Sequence, residues 1–230
     1  MNEARYNGMA GRKTHMQARG RLRRQQLLDA ARLLLETHEL DELSLGDVAA
    51  QAGVPKGSAY HFFDNISSVY AGLSAAMGQE LLDDQLRLMD GPINSWMDVV
   101  GVAIDRGVNF FNTHKAARQL LLGPKSPPEI KRSDRNNDYE IGRSFQLNIG
   151  RYFQLPVFPD RDRIFYHAVE IADLMFCLSV SDDGIITPEM CEEAKKVACA
   201  YLGLYIPAFL PPKEEVEMTG EAGAIGGYTR

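Results

Sequence analysis

The chain has 230 residues and the composition of an ordinary globular protein, with 45% hydrophobic and 24% charged residues. Its apolar runs are far shorter than the roughly 18–20 residues of a membrane span, and no secretory leader is visible, so a cytoplasmic protein is predicted. Cys177, Cys191 and Cys199 show no spacing typical of a metal site, so neither a metal nor a cofactor is expected.

Charge is unevenly distributed along the chain, whose net charge is −6. Residues 1–24 hold seven lysines and arginines against one glutamate, a local charge of +6, so the remainder carries −12. A basic arm on an acidic body is typical of proteins that touch nucleic acid at one end, although a solvated tail has the same composition. Because residues 1–19 lack apolar periodicity, we predict a disordered basic arm there.

Three helices are predicted between residues 20 and 66. In the first, apolar residues recur at steps of three and four and form one wide stripe. Ser44, with Asp47 three residues later, is typical of a capping box that starts a second helix, and Gly53 supplies the left-handed residue that ends it. Pro55 suits the first turn of a third helix, which is expected to run to about residue 63.

The rest of the chain is also predicted to be helical, and no convincing alternation of period two occurs, so the predicted fold class is all-α. A linking helix at 65–88, for which Asp64 and Asn65 offer an N-cap, leads into a larger body at 89–210. Residues 211–230 are expected to form a flexible tail. Short segments rich in Pro, Gly or Asp are expected to interrupt the body. They divide it into predicted helices at 94–113, 115–123, 128–154, 160–180 and 187–209.

Two short helices joined by a glycine-containing turn form the pattern of a helix-turn-helix, whose second helix enters the major groove of DNA. Lys56 would supply a charge for phosphates, Gly57 would allow close approach, and Ser58 could donate to a phosphate or a base edge. Tyr60 and His61 could reach phosphates from the same helix. Most helical hairpins bind no DNA, but the basic segment before this one favours DNA binding.

This unit resembles the N-terminal domain of the TetR family of bacterial transcriptional repressors. The resemblance is carried by "LLDAARLLLETHELDELSLGDVAAQAGVPKGSAYHFFDN", residues 27–65. It implies a homodimer that binds a pseudo-palindromic operator, with one such domain on each half-site. It also implies that a small molecule bound in a larger helical ligand-binding and dimerisation domain moves the fourth helix and releases the DNA.

Carried over residue by residue, the resemblance implies that Lys56, Ser58, Tyr60 and His61 contact DNA, with Ser44 and Gly57 beside the DNA backbone. Separately, the positive charge of residues 19–24 makes Arg23 and Arg24 candidates for contact with phosphates. The chain departs from the family pattern at Ile66, where a phosphate-contacting lysine is usual, and at Gly46, Pro55 and Glu39. An alternative is therefore a helical small-molecule-binding or protein-interaction protein with weak or no operator binding.

Aromatic residues recur across the helices expected to surround a ligand pocket, although aromatic residues at helical spacing are usually plain core. The polar segment 131–138 is interpreted as a solvated face or a kink rather than a pocket wall. The candidates for ligand contact are Trp96, Phe110, Phe111, Arg118, Asn137, Arg143 and Phe145.

One polar cluster offers a different chemistry. His167, Glu170 and Asp173 fall at steps of three along one helix and include residue types that bind divalent metals. Because only one helix contributes, a solvated or dimer-facing polar stripe is preferred to a metal site. No arrangement typical of an enzyme occurs elsewhere, so no catalytic activity is expected.

The last two helices are rich in apolar residues that could form either a dimer interface, as the resemblance implies, or an internal core layer. The residues are Phe165, Val169, Ala172 and Phe176 on one helix, and Ala194, Val197, Ala198, Tyr201, Leu204 and Tyr205 on the other.

Overall fold

The computed structural model describes residues 3–89 and 91–213, with the side chains of residues 3–17, 133 and 134 excepted. Within those ranges all regular structure is helical apart from one bridge between Phe153 and Pro212, which confirms the predicted all-α class. The α-helices are α1 (Glu3–Leu35), α2 (Leu45–Gln51), α3 (Lys56–Ala59), α4 (Ile66–Gln85), α5 (Trp96–Thr113), α6 (Lys115–Ala117), α7 (Pro128–Tyr152), α8 (Arg161–Asp183) and α9 (Pro188–Leu202).

Helix α1 begins at Glu3, so the structure differs from the predicted disordered arm over residues 3–19. That segment contains no proline and is dominated by Ala, Arg, Met, Gln, Lys and Glu, which have high helix propensity. A helix that is already nucleated in its packed C-terminal half adds further residues at little cost. The lack of apolar periodicity therefore did not exclude a helix in this segment.

The caps predicted for α2 and α4 are confirmed. Ser44 and Asp47 form the capping box of α2, and Gly53 follows that helix with a φ of 63°. Asn65 caps α4 by accepting a hydrogen bond from the Ser68 N–H. Helix α3 is shorter than predicted, because the chain passes into turns after Ala59. These caps satisfy backbone donors at the helix starts and so set the angle at which α2, α3 and α4 meet.

The larger body consists of α4, α5, α7, α8 and α9, with α8 packed between α7 and α9. Two arginines hold the C-terminal end of α4: Arg106 donates to the carbonyl of Asp84 at 3.2 Å, and Arg151 donates to that of Leu86 at 3.0 Å. Cations at this end of a helix also complement its dipole. Helices α5 and α7 are thereby fastened to α4, the helix that directly follows α2 and α3.

Among the described residues, α8 is long and apolar enough to cross a membrane by length and composition alone. The core helix of a globular protein passes the same test, and α8 buries Phe165, Ala168 and Ala172 within the helical body. Its packing between α7 and α9 accounts for its apolar character.

The C-terminal segment returns to the body after α9, which ends at Leu202 rather than at the predicted residue 209. Lys213 N–H donates to the Tyr152 carbonyl at 2.8 Å, and Gln154 N–H donates to the Pro211 carbonyl at 2.9 Å. The first three residues of the predicted flexible tail are therefore paired with the end of α7. Residues 214–230 lie outside the described residues.

Candidate functional site

The start of α3 forms an exposed polar surface, called here the α3 surface, which consists of Lys56, Gly57, Ser58, Tyr60 and His61. Ser58 is half-buried and the other four are exposed. A Cβ added to Gly57 would meet no atom within 4 Å, so the interior of the chain gives no packing reason for glycine at this position. The structure thus brings together the five predicted residues that lie on this helix and its C-terminal turn.

Gly46 leaves room for the side chain of Lys56. A Cβ at Gly46 would lie 3.7 Å from the Lys56 Nζ and 3.3 Å from the Ser44 Oγ. The Lys56 ammonium group therefore lies over the first turn of α2, although Lys56 is the first residue of α3. Gly46, which departs from the family pattern, lies beside this cation, and a Cβ there would be in ordinary van der Waals contact with it.

Ser44 has a structural role in this part of the molecule. Its hydroxyl donates to the Asp47 carboxylate at 2.6 Å and accepts from the Asp47 N–H at 3.3 Å. The hydrogen bonds from Ser44 lower the pKa of Asp47. Ser44 is exposed beside the α3 surface, and its contact with DNA stays a prediction.

Arg23 and Arg24 have different surroundings although they are neighbours in α1. Arg23 is exposed. The Arg24 guanidinium lies 5.1 Å from the centroid of the Phe63 ring, and a Cβ at Gly72 would lie 3.1 Å from its Nη2. Arg24 thus braces α1 against the turn before α4 through a cation–π contact with Phe63, and it also lies close to Gly72 of α4.

Ile66 is the first residue of α4 and packs, half-buried, against the hydrophobic core. The place where the family usually has a lysine is therefore used for packing. Among the described side chains of the N-terminal unit, positive charge comes from Lys56 and from exposed arginines of α1, namely Arg19, Arg21, Arg23 and Arg24.

A cavity of about 40 Å³ lies in the body between α4, α5, α7 and α8. Three of the seven predicted ligand contacts line it: Phe111, Asn137 and Phe145. Asn137 and its neighbour Asp138 belong to the polar segment 131–138, so the interpretation of that segment as a solvated face is wrong at these two positions. The other walls are mostly apolar, with further polar groups from Gln85 and Asp173.

The other four predicted ligand contacts have structural roles outside the cavity lining. Trp96 Nε1 donates to the Pro207 carbonyl at 2.9 Å, and the Phe110 ring packs on Phe111 and His114. Their helical spacing marked them correctly as buried, but burial does not distinguish cavity lining from solid core.

Two of those four are arginines. Arg118 donates to the Phe111 carbonyl at 2.7 Å and so holds the end of α5, while Arg143 is exposed beside Glu140 at 3.5 Å. An arginine can satisfy helix-end carbonyls or remain in solvent, and the sequence pattern alone does not separate these cases from a ligand contact.

Gln85 and Asp173 also line the cavity, and neither is among the seven residues predicted to contact a small molecule. A signal for Asp173 was present, because Val169, Ala172, Asp173 and Phe176 share one face of α8 at steps of three and four. An acid on the buried face of a helix is unusual and marks a possible functional position.

Asp173 sits in an electrostatically unfavourable place. Burial raises its pKa to about 6, and the nearby Glu170 carboxylate adds to the shift, while the Cys177 thiol, 3.5 Å away, and Lys131 oppose it. The unfolded chain ionises Asp173 near its ordinary pKa of 3.8, so the charge on this residue costs folding free energy once the pH rises from about 4 through about 6.

The three residues of the possible metal cluster do not converge. His167 Nδ1 lies 3.1 Å from the Tyr201 hydroxyl, whereas Asp173 lines the cavity. Within residues 3–89 and 91–213, no group of three or more His, Cys, Asp and Glu side chains is arranged to hold a metal ion. The preferred interpretation as a solvated or dimer-facing stripe is also wrong for Asp173.

A π-helical segment, Arg118–Leu122, follows α6 and joins the cavity to the N-terminal helices. Leu121 lines the cavity, while Gln119 Nε2 donates to the carbonyls of Leu35 at 2.9 Å and His38 at 2.8 Å. Those carbonyls lie at and just beyond the C-terminal end of α1. Isolated π-helical turns are rare and often mark functional sites.

The outer face of α8 and the end of α9 expose large apolar side chains. Leu174 and Leu178 of α8 are 54% and 44% exposed, and Leu204, just after α9, is 75% exposed. Most of the apolar residues predicted for these two helices, including Phe165 and Ala198, instead form internal core. The structure thus separates a core layer from an outer apolar face, called here the α8–α9 face.

Two sequence models of one family match this chain. The model for bacterial regulatory proteins of the tetR family matches residues 27–72, and the model for the tetracyclin repressor-like C-terminal domain matches residues 94–206. No curated protein sequence matches the chain.

Several solved structures share the fold. A TetR-family transcriptional regulator from Streptomyces coelicolor is 26% identical, with a TM-score of 0.62 over 79% of this chain and 98% of that chain. A TetR transcriptional regulator from Rhodococcus sp. RHA1 is 14% identical, with a TM-score of 0.59 over 79% and 96%. SmeT, the repressor of the Stenotrophomonas maltophilia multidrug efflux pump SmeDEF, is 17% identical, with a TM-score of 0.57 over 82% and 93%.

Proposed function

Because the chain belongs to the TetR family of bacterial transcriptional regulators, we propose that it is a repressor that binds an operator as a homodimer and leaves it when a small molecule enters the cavity. The observation that carries this proposal is the α3 surface. It offers a cation, an open glycine and a hydroxyl on the second helix of a helix-turn-helix, and a phenol directly after that helix. These are the groups that bind phosphates and base edges.

The charge distribution supports an orientation in which the α3 surface faces the DNA. The exposed arginines of α1 and Lys56 lie in the N-terminal unit, whereas the remainder of the chain is acidic. The acidic body is repelled by phosphates and the basic unit is attracted to them, so the molecule would approach DNA with the α3 surface forward.

The test is a DNA-binding titration on the chain's own upstream DNA with a Lys56→Ala/Tyr60→Ala double variant. We expect the variant to lose about 100-fold in affinity at low salt, because each protomer loses a cation and a phenol at the groove. Removing one phosphate contact per protomer should also lower the slope of log K against log salt by about 2 for a dimer. Lys213→Ala, which removes an exposed lysine from the body, is the matched control and should bind as the wild type does.

Two outcomes would argue against operator binding. The first is that the wild type gives no complex at low salt. The second is that the double variant binds as tightly as Lys213→Ala. Either result would favour the alternative of a helical small-molecule-binding or interaction protein. That alternative is also favoured by Ile66, which stands where the family usually has a phosphate-contacting lysine.

The α8–α9 face is the proposed dimer interface. Leu174, Leu178 and Leu204 are exposed in the single chain, and the rings of Tyr201 and Tyr205, at and just after the end of α9, are in edge contact with each other. Apolar side chains clustered on one outer face are typical of association surfaces. Pairing two copies through this face would make a four-helix contact and would place one α3 surface on each half of a pseudo-palindromic operator.

The π-helical segment is the proposed link between ligand and DNA. A ligand larger than the 40 Å³ cavity must displace its walls, and one of those walls is Leu121. Gln119 lies two residues away and holds the Leu35 and His38 carbonyls, so a shift of the segment would move the end of α1. A ligand releases DNA in this way only if it binds the shifted state more tightly than the DNA-bound state.

Gln119→Ala should loosen this link. We expect amide hydrogen exchange in residues 35–43 to accelerate about tenfold, because two hydrogen bonds to the end of α1 are lost, while exchange in α7 and α8 stays unchanged. Gln79→Ala, which removes an exposed amide from α4, is the control and should leave the exchange pattern intact. Equal protection of residues 35–43 in the two variants would show that the Gln119 bonds do not couple the domains.

A further inference from the structure

The polar groups of the cavity are predominantly hydrogen-bond acceptors. Gln85 is 2% exposed, and its Oε1 has no hydrogen-bond partner. The orientation of this amide is set by its other end, since Nε2 donates to the Ala103 carbonyl at 2.9 Å. Exchanging the two atoms would place an oxygen against a carbonyl oxygen, so the unsatisfied group of Gln85 is an acceptor.

The cavity wall is acidic. Asp138 and Asp173 both line it, and none of its lining residues, all of which are described, is a lysine, arginine or histidine. Around Asp173, the packed helices present Glu170 and Cys177 from α8 and Lys131 from α7, and Lys131 is exposed. Asp173 is thus a carboxyl group in apolar surroundings whose charged form would gain from a cation placed in the cavity.

The remaining walls suit a hydrocarbon framework. Phe111, Phe145 and Phe176 line the cavity together with aliphatic residues. Aromatic faces attract cations as well as apolar groups. A metal ion would gain little here, because such walls provide no further oxygen ligands and the cations that carboxylates bind usually need about six.

We propose that the cavity selects an organic cation, namely an apolar molecule with a protonated amine whose N–H groups meet Gln85 Oε1 and the Asp173 carboxylate. This inference rests on the proposed function in that it specifies the class of effector. An amine satisfies the unpaired acceptor and neutralises the half-buried acid at once. A neutral alcohol of the same shape supplies one donor and no charge, and a carboxylate would be repelled.

The test uses three probes of one shape: 4-phenylbutylamine, 4-phenylbutanol and 4-phenylbutyrate. Their binding to the full-length, DNA-free protein is measured by calorimetric titration near neutral pH. We expect the amine to bind at least tenfold more tightly than the alcohol and the carboxylate to bind most weakly. In Asp173→Asn the preference for the amine over the alcohol should fall to less than threefold, while the alcohol binds as before.

Asp182→Asn makes the same change at an exposed position near the end of α8 and should keep the wild-type preference. The inference is overturned if the wild type binds the alcohol or the carboxylate as tightly as the amine, if it binds none of them, or if Asp173→Asn keeps the full preference. The wild-type ranking decides even if a variant fails to fold.

Titration of the same preparations with upstream DNA separates this inference from the proposed function. Amine selectivity without DNA binding would refute the repressor and leave the cation site standing. DNA binding without amine selectivity would refute the cation site and leave the repressor standing.

Discussion

Replacing Gly142 with alanine is expected to lower the free energy of unfolding by about 3 kcal/mol, an effect at the upper end for an overpacked core. Gly142 is buried in α7 where that helix crosses α8. A Cβ there would lie 2.8 Å from the backbone nitrogen of Tyr166 and 2.9 Å from the carbonyl carbon of Phe165. Backbone atoms cannot rotate away as a side chain can, so the two helices would have to separate.

The measurement is urea unfolding followed by circular dichroism at one fixed protein concentration, since a dimer's stability depends on concentration. Gly150→Ala is a matched control in the same helix, where an added Cβ meets no atom within 4 Å. Alanine should raise stability there by about 0.5–1 kcal/mol through helix propensity alone. If the two variants unfolded at the same urea concentration, α7 and α8 would not be in the close contact described above.

The separation of α7 and α8 would also reach the cavity, because both helices line it. Phe145 and Asn137 stand on α7, and Val169 and Asp173 stand on α8. We therefore expect any Gly142→Ala protein that remains folded to bind the amine probe more weakly as well, with the loss arising from wall geometry rather than from charge.

Phe63→Ala is expected to cost about 3–4 kcal/mol of stability and, with it, operator binding. The ring is 4% exposed, and a Cβ at Gly72 would lie 3.3 Å from its Cε1. Arg24 covers the ring from α1. The substitution would therefore remove the aromatic wedge between α1 and α4 and leave Arg24 without its partner.

Tyr60→Ala is the informative comparison, because Tyr60 is 49% exposed and belongs to the α3 surface. We expect its thermal stability to stay within about 0.5 kcal/mol of the wild type while its DNA affinity falls. Phe63→Ala should lose both properties together. A Phe63→Ala protein of native stability would contradict the assignment of this ring to the core.

The aromatic stretch at 60–63, which ends the helix-turn-helix, could be predicted only in part from the sequence. Tyr60 and His61 were predicted to reach phosphates, and the structure has both exposed, with Phe63 buried and Phe62 half-buried. The partners of Phe63 are a guanidinium from α1 and a glycine of α4. Those partners could not be predicted, because contact between separate helices depends on how the helices cross.

For the whole molecule, as for this stretch, local features were predictable from the sequence and contacts between separate helices were not. The sequence by itself determined the all-α class, the caps at Ser44 and Asn65, most helix spans and the helix-turn-helix, because these depend on interactions within a few residues of the chain. It also carried the resemblance to the family.

The tertiary structure alone decided which buried residues line the cavity and which face of α8 stays open. Periodicity marks a residue as inward-facing, but it does not tell whether the space in front of it is filled. Trp96 and Phe145 are both buried, yet only Phe145 lines the cavity. Asp173 and Gln119 acquire their roles because helices far apart in the chain meet there, and a pattern that extends over a few residues carries no information about that meeting.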